Sequence, residues 1–159
     1  MFYFCQRPAE GPVGLQLYKK SLYCPSSQIL RTSAHVGTGE NNAKSVGTVG
    51  IGECLVSPEE ARIHARNSGL RLLATIHNHL DGDLSRVEQV LQLTGVVNAE
   101  PNFTGHANII DGCSQILADA LGEDRGVGTR ACFGTGSLGA TVACYVEVRV
   151  RPPPVEEED

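Results

Sequence analysis

The stretch Ser57-Pro58-Glu59-Glu60, followed by apolar residues at helical spacing as far as Leu80, decides the fold. A serine N-cap, a proline at the first helical position and a glutamate three residues past the cap are start signals of an α-helix. Ser45–Cys54 before this helix and Val90–Val97 after it have the patterning of strands. The sequence therefore predicts a βαβ crossover in which these two strands, the third and fourth of the chain, are parallel.

Further elements extend this unit in both directions, and turn residues separate them. They are two strands around Leu15–Tyr18 and Gln28–Ser33, a helix over Ile109–Leu121 with Gly122 as its C-cap, and a closing hairpin of Thr129–Gly134 and Ala140–Val150. The predicted order is βββαβαββ, an α+β fold with a mixed sheet and two helices on one face. The other face of the sheet would be covered by another subunit.

Composition limits the classes of protein to which the chain can belong. The chain has 159 residues, a net charge of −5 and no apolar run near the ~20 residues that span a bilayer. A nucleic-acid partner or a membrane is therefore not expected. We predict one domain over residues 14–151, an N-terminal extension at 1–13 and a disordered acidic tail at 152–159. The N-terminal residues lack a secretory pattern, which predicts a cytoplasmic protein with reduced cysteines.

Arg130 is the first candidate for a functional residue. It is a cation among packing residues on a short predicted strand, in a chain with only 19% charged residues. A guanidinium matches a carboxylate with two parallel hydrogen bonds, so Arg130 is a candidate anchor for a small carboxylic acid. A structural ion pair is the alternative.

The predicted hairpin places further side chains beside Arg130. With a two-residue turn at Ser137-Leu138, Arg130 would lie opposite Tyr145. Period-two alternation would then put Arg130, Cys132, Tyr145 and Glu147 on one face of the sheet.

Several motifs together resemble the RidA/YjgF family, also called L-PSP endoribonucleases. They are Leu84-Ser85-Arg86-Val87, the run from Val90 to Asn98, Pro101-Asn102-Phe103-Thr104, Ile109-Ile110-Asp111-Gly112 and Thr129-Arg130-Ala131-Cys132. The resemblance covers roughly residues 28 to 150. It implies a chorismate-mutase-like (YjgF-like) fold and a homotrimer with sites between subunits. Active members hydrolyse 2-imino acids or their enamine tautomers to 2-keto acids and ammonia.

The resemblance also implies roles for individual residues. Arg130 matches the arginine that holds the substrate carboxylate, Cys132 matches a cysteine of the same pocket, and Ser33 matches a serine that lines the site. Asp111 stands where the family has an asparagine, and Tyr145 stands where it has a glutamate that handles water. Glu147 retains a second glutamate two residues later, and it is the better candidate base because a tyrosine near its usual pKa of about 10 is a poor base at neutral pH.

Each candidate also has a structural interpretation. Tyr145 could be a packing aromatic, and Cys132 a buried thiol rather than a nucleophile. Gly134-Thr135-Gly136-Ser137-Leu138-Gly139 spells a dinucleotide-binding motif, but it opens no helix, so a turn is the better interpretation. His77 and His79 point about 200° apart on a helix and do not predict a metal site. No cofactor or metal is expected.

Three functional hypotheses follow from these observations. The first is a hydrolase that deaminates small 2-imino acids, with Arg130 binding the carboxylate and Glu147 or Tyr145 handling water. The second is a non-catalytic trimer that binds a small carboxylate or acts as a chaperone-like module. The third is an endoribonuclease, which an acidic chain supports poorly.

Overall fold

A computed structural model describes residues 17–39, 43 and 45–152 of the chain. The strands are β1 (Ser21–Cys24), β2 (Ile29–Thr32), β3 (His35–Val36), β4 (Val87–Asn98), β5 (Thr129–Thr135) and β6 (Val142–Val150), and the helices are α1 (Pro58–His79), α2 (His106–Leu121) and the short α3 (Glu123–Gly126). A single 3₁₀ turn, Leu84–Arg86, precedes β4. Apart from the short α3, the order of element types is the predicted βββαβαββ, although not every strand is the predicted segment; the fold is mixed α+β, with six strands and two main helices. The expected N-terminal extension and residues 153–159 lie outside the described residues.

Helix α1 begins where the sequence predicts, and α2 ends at Leu121 as predicted but begins three residues earlier, at His106. Ser57 caps α1 by accepting a hydrogen bond from the Glu60 amide at 3.1 Å, and Pro58 is the first helical residue. Gly122 ends α2 with φ 83°, a left-handed conformation that favours glycine. Both helices bury apolar stripes against one face of the sheet, where β6 contributes Val146, Val148 and Val150, all fully buried. No helix among the described residues is both long and apolar enough to cross a membrane.

The prediction of a strand at Ser45–Cys54 is wrong. Within it Val49 forms only isolated bridges, to Val56 and Ala99, and the third strand is the two-residue β3 instead. The reason is local backbone conformation. Gly47 and Gly52 have positive φ, and so does Cys54 at 65°, which turns the backbone away from an extended path. The first strand also begins later than predicted, since Leu17 and Tyr18 precede β1 in irregular structure.

The closing hairpin is also wrong, because β5 and β6 do not pair with each other, and the predicted parallel strand pair is reduced to one parallel bridge, between Val49 and Ala99. The sheet order is β1-β2-β6-β4-β5, with β3 also on β6, so β4 lies between β5 and β6. The parallel pair is β4 with β5, connected through α2, whereas β4 and β6 are antiparallel. β3 pairs with β6 and not with β4. Because β5 has a partner on one side only, it forms an edge of the sheet in the described chain.

Candidate functional site

Arg130 projects from the edge strand β5 towards helix α2. Its Nη1 donates to Asp111 Oδ1 at 2.6 Å and to Ser114 Oγ at 3.0 Å. The two acceptors are three residues apart on α2 and therefore lie on the same side of the helix. The Arg130 side chain is 29% exposed. The guanidinium is thus held in place at one nitrogen while part of it still faces solvent.

A cleft of about 150 Å³ borders this guanidinium between the sheet and α2. Its walls are mostly apolar, and its floor comes from β4. The lining residues are Val90, Leu93, Ser114, Leu117, Gly126, Val127, Gly128 and Arg130. A cation at the end of an apolar cleft suits a small organic acid, because the apolar walls can contact the carbon skeleton while the guanidinium binds the carboxylate.

A second, wider cleft of about 510 Å³ adjoins the first, since both are lined by Ser114 and Val127. Its charged lining is mainly acidic: Asp111, Glu123 and Asp124 face one cation, Arg62. Arg62 Nη1 lies 3.7 Å from Asp111 Oδ2. Asp111 therefore sits between two arginines, and Glu123 and Asp124 add further negative charge to this cleft.

The ionisation of Arg130 and Cys132 follows from these surroundings. The hydrogen bond to Asp111 is the main reason that the pKa of Arg130 is raised above its ordinary value, so Arg130 remains a cation. Burial raises the pKa of the Cys132 thiol, and the nearby Arg130 opposes this only in part. Cys132 packs against the hydrophobic core. These properties favour a neutral, partly buried thiol over an activated nucleophile.

Tyr145 and Glu147 lie on the opposite face of the sheet from Arg130. Arg130 is aligned with Leu93 of β4, and Leu93 is aligned with Val146 of β6. Residues aligned across neighbouring strands share a face, so Tyr145 and Glu147, one residue on either side of Val146, point the other way. The expectation that Arg130, Cys132, Tyr145 and Glu147 share one face is therefore wrong for a single chain.

On that open face, Glu147 has its own partner. Glu147 Oε1 accepts a hydrogen bond from Arg31 Nε at 2.6 Å, and both side chains are partly exposed. Exposed apolar side chains share this face with the pair: Leu22, Phe133 and Tyr145 are 55%, 49% and 38% exposed. The open face is thus a mixed apolar and charged surface.

Ser33 lines a different cleft, of about 640 Å³, near the start of β3. Its hydroxyl donates to the Lys19 carbonyl at 2.5 Å. Lys20, His35, Arg71 and His79 line the same cleft, which makes it rich in groups that can carry positive charge. His35 Nδ1 lies 2.8 Å from the Ser33 carbonyl and Nε2 lies 2.6 Å from Thr75 Oγ1. The pKa of His35 is lowered, chiefly by burial.

Comparison with known proteins gives one relative by sequence. No family model matches the chain. A stretch of 91 residues is 31% identical to Protein TCP17 of Trypanosoma cruzi, and it covers 57% of this chain and 56% of TCP17. The match thus spans little more than half the length of that relative.

Solved structures resemble the chain over most of its length. Atu1372 of Agrobacterium tumefaciens, whose function is unknown, is 27% identical with a TM-score of 0.76 over 86% of this chain and 83% of its own. A proposed endoribonuclease from Shewanella oneidensis is 21% identical with a TM-score of 0.74 over 91% and 92%. E. coli TdcF with bound serine is 13% identical with a TM-score of 0.52 over 87% and 91%.

The chain has the RidA/YjgF fold. Its structural neighbours include members of the YjgF/RidA/L-PSP endoribonuclease family, as the sequence motifs predicted. In this chain the fold brings Arg130 to Asp111 and leaves Ser33 in a separate cleft. Tyr145 and Glu147 lie on the other face of the sheet. The assignment of catalytic and binding roles to these residues stays a prediction.

Sequence reasoning missed Ser114 as a neighbour of Arg130. Ser114 follows Asp111 by three residues on a helix that was correctly predicted, so i, i+3 spacing could have indicated that the two share a side. Arg62 had no comparable signal, because it lies on another helix and reaches Asp111 only through the packing of α1 on α2.

Proposed function

We propose that this chain hydrolyses small 2-imino acids, or their enamine tautomers, to 2-keto acids and ammonia, with Arg130 binding the substrate carboxylate. In the reaction, water adds to the iminium carbon and one of its protons passes to the nitrogen. The C–N bond then breaks as the added hydroxyl becomes the keto group, and the hydroxyl proton leaves with the ammonia as ammonium. An iminium carboxylate and water thereby become a 2-keto carboxylate and ammonium. The observation that supports this function best is the guanidinium of Arg130, fixed at Nη1 and bordering an apolar cleft.

Preorganisation of Arg130 favours productive binding. Asp111 and Ser114 hold the side chain in one orientation, so less side-chain freedom is lost when a ligand binds. A cleft of about 150 Å³ suits a small acid. TdcF, which shares the fold, has bound serine, a small molecule with a carboxylate. We extend this ligand class to the present chain as part of the proposal.

A single chain does not place a general base beside Arg130. Glu147 is on the open face and pairs with Arg31. We therefore propose a homotrimer, as the resemblance implies, in which a second copy would bring Glu147 or Tyr145 and the Ser33 cleft to the Arg130 cleft. The exposed apolar side chains of the open face support burial against another subunit.

A second candidate is a trimer of the same fold that binds small carboxylates without turning them over. The Arg31–Glu147 pair favours this candidate, because a carboxylate that accepts a hydrogen bond from a guanidinium at 2.6 Å is less available to take a proton from water. A third candidate, an endoribonuclease, would use the Ser33 cleft, where His35, His79 and Lys20 come together.

The decisive experiment generates 2-iminopropanoate in situ and times its decay. Wild-type protein is expected to accelerate the decay, and Arg130→Ala to lose the acceleration by about 100-fold or more in kcat/KM, because the carboxylate loses its charged partner. Arg66→Ala, an exposed arginine on α1, is the matched control and should retain full activity.

The outcomes separate the candidates. Turnover that survives Arg130→Ala contradicts the proposed role of Arg130. The non-catalytic candidate is favoured if wild type leaves the decay of 2-iminopropanoate at its background rate but binds pyruvate, and if this binding is lost in Arg130→Ala. Glu147→Gln tests the base in the same assay and should lower kcat while pyruvate still binds. Cleavage of single-stranded RNA that is lost on His35→Ala or His79→Ala would support the ribonuclease.

A further inference from the structure

The site at Arg130 presents a cation and an anion side by side, rather than a cation alone. Asp111 Oδ1 accepts from Arg130 Nη1 at 2.6 Å, so a carboxylate ligand would approach a cation that already has an anion beside it. A plain carboxylate would be repelled by Asp111. For a plain carboxylate this repulsion opposes the benefit of the fixed Arg130 orientation, whereas a ligand that also carries a cation would gain from Asp111 as well.

Arg130 keeps an edge for a ligand carboxylate. Among the described residues, its hydrogen bonds all pass through Nη1, to Asp111 and Ser114. The fork formed by Nε and Nη2 therefore stays available for the two oxygens of one carboxylate. A ligand bound in this way does not have to displace Asp111.

Asp111 keeps the capacity to accept from a ligand. An ionised carboxylate has about four acceptor positions, and Arg130 occupies one on Oδ1 while Arg62 lies 3.7 Å from Oδ2. The Asp111 side chain is 40% exposed. It lines the wider cleft together with Glu123 and Asp124, and the acids there outnumber the cation. A positively charged group of a ligand is favoured on this side of Arg130.

We propose that Asp111 makes the Arg130 site selective for ligands that carry a protonated nitrogen next to the carboxylate, with Arg130 holding the carboxylate and Asp111 accepting from the nitrogen. This inference rests on the proposed function and specifies its substrate: a 2-imino acid binds as the zwitterionic iminium. Protonation makes the imine carbon more electrophilic towards water. The 2-keto acid product has no cation, so Asp111 favours its release.

The test compares two ligands that differ in one group. L-alanine and L-lactate have the same carbon skeleton and carboxylate, but alanine has an ammonium where lactate has a hydroxyl. Wild type should bind alanine more tightly in an NMR titration. Asp111→Asn should lower the affinity for alanine and raise the affinity for lactate, each by about tenfold, because a half-exposed charge contributes to binding on that scale.

Matched variants separate the effect of position from that of net charge. Asp111→Glu keeps the charge and should restore the preference for alanine. Asp119→Asn makes the same charge change two turns further along α2, where Asp119 pairs with Gln115, and should leave both affinities unchanged. Equal effects of Asp111→Asn and Asp119→Asn would overturn the inference, and so would an Asp111→Asn variant that shifts both ligands alike.

The same titration keeps the inference separate from the function on which it rests. If both ligands bind wild type equally and Arg130→Ala abolishes both, the carboxylate role of Arg130 stands and the selectivity of Asp111 is wrong. If neither ligand binds wild type, or if Arg130→Ala leaves both affinities unchanged, the proposed function and the inference are both wrong. A urea midpoint for each variant shows that the fold persists.

Discussion

The two faces of the sheet carry similar groups in different surroundings. On the face covered by the helices, Arg130 pairs with Asp111 at 2.6 Å beside an apolar cleft. On the open face, Arg31 pairs with Glu147, also at 2.6 Å, among partly exposed side chains. The distance between the charges is therefore no guide to function. What differs is the cleft next to the charge and the element that holds it.

The comparison also explains why residues close in sequence do not act together within one chain. Arg130 and Glu147 lie on strands that are consecutive in the chain, but β4 lies between those strands. The register across β4 then assigns Arg130 to the covered face and Glu147 to the open face. A shared site for the two residues requires a second copy of the chain.

The largest effect is expected at Gly95 on β4, where the covered face packs directly against Ile110 of α2. A Cβ on Gly95 would lie 2.5 Å from Ile110 Cγ1 and 2.8 Å from Cγ2, and Ile110 is fully buried. Because the whole side chain is in the way, Gly95→Ala should lower the free energy of unfolding by about 3 kcal/mol in urea denaturation.

Gly136 provides the matched control for this substitution. A Cβ there meets nothing within 4 Å, so Gly136→Ala should change stability by less than about 1 kcal/mol. Similar losses for the two variants would contradict the packing of α2 on the sheet at Gly95.

An intermediate effect is expected for the alkylation rates of Cys24 and Cys132, which lie on opposite faces of the sheet. Hydrogen bonds with Ser26 and Ser27 lower the pKa of Cys24 to about 7, whereas burial raises that of Cys132. At pH 7, iodoacetamide should modify Cys24 at least about tenfold faster than Cys132, as measured by peptide mass spectrometry. Ser26→Ala should slow Cys24, and faster labelling of Cys132 would contradict the structure.

The smallest effect concerns His64 on the covered side. His64 is 4% exposed, its Nδ1 lies 2.6 Å from Ser45 Oγ, and burial lowers its pKa while Glu60 partly opposes this. Below pH 6.5 the unfolded chain binds the proton more readily than the folded chain, so this stability is present above pH 6.5 and is lost as the pH falls towards the lowered pKa.

Urea midpoints at pH 7 and pH 5 measure this loss. Wild type should lose about 1 kcal/mol more than His64→Gln over that range. An identical pH dependence in the two proteins would show that His64 does not contribute.

Local signals and tertiary contacts contributed differently to the prediction. Helix α1 could be placed from Ser57 and Pro58, because caps and i, i+3 spacing are contained in the segment itself. The strand at Ser45–Cys54 could not be excluded from its apolar pattern, since its glycines left the backbone conformation open. For the site, the resemblance singled out Arg130 and Asp111, but their contact became visible only in the fold.

The sequence by itself determined the α+β class, the two main helices, the strands around them from β4 to β6 and the candidate arginine, since the signals for each lie in neighbouring residues. Only the tertiary structure decided which strands are adjacent. Strand β4 lies between β5 and β6 because it pairs with β6 on one edge and, through the crossover by α2, with β5 on the other. Pairing between segments this far apart in the chain has no local signal. That pairing moved Glu147 away from Arg130 and left Asp111 as the carboxylate in contact with it.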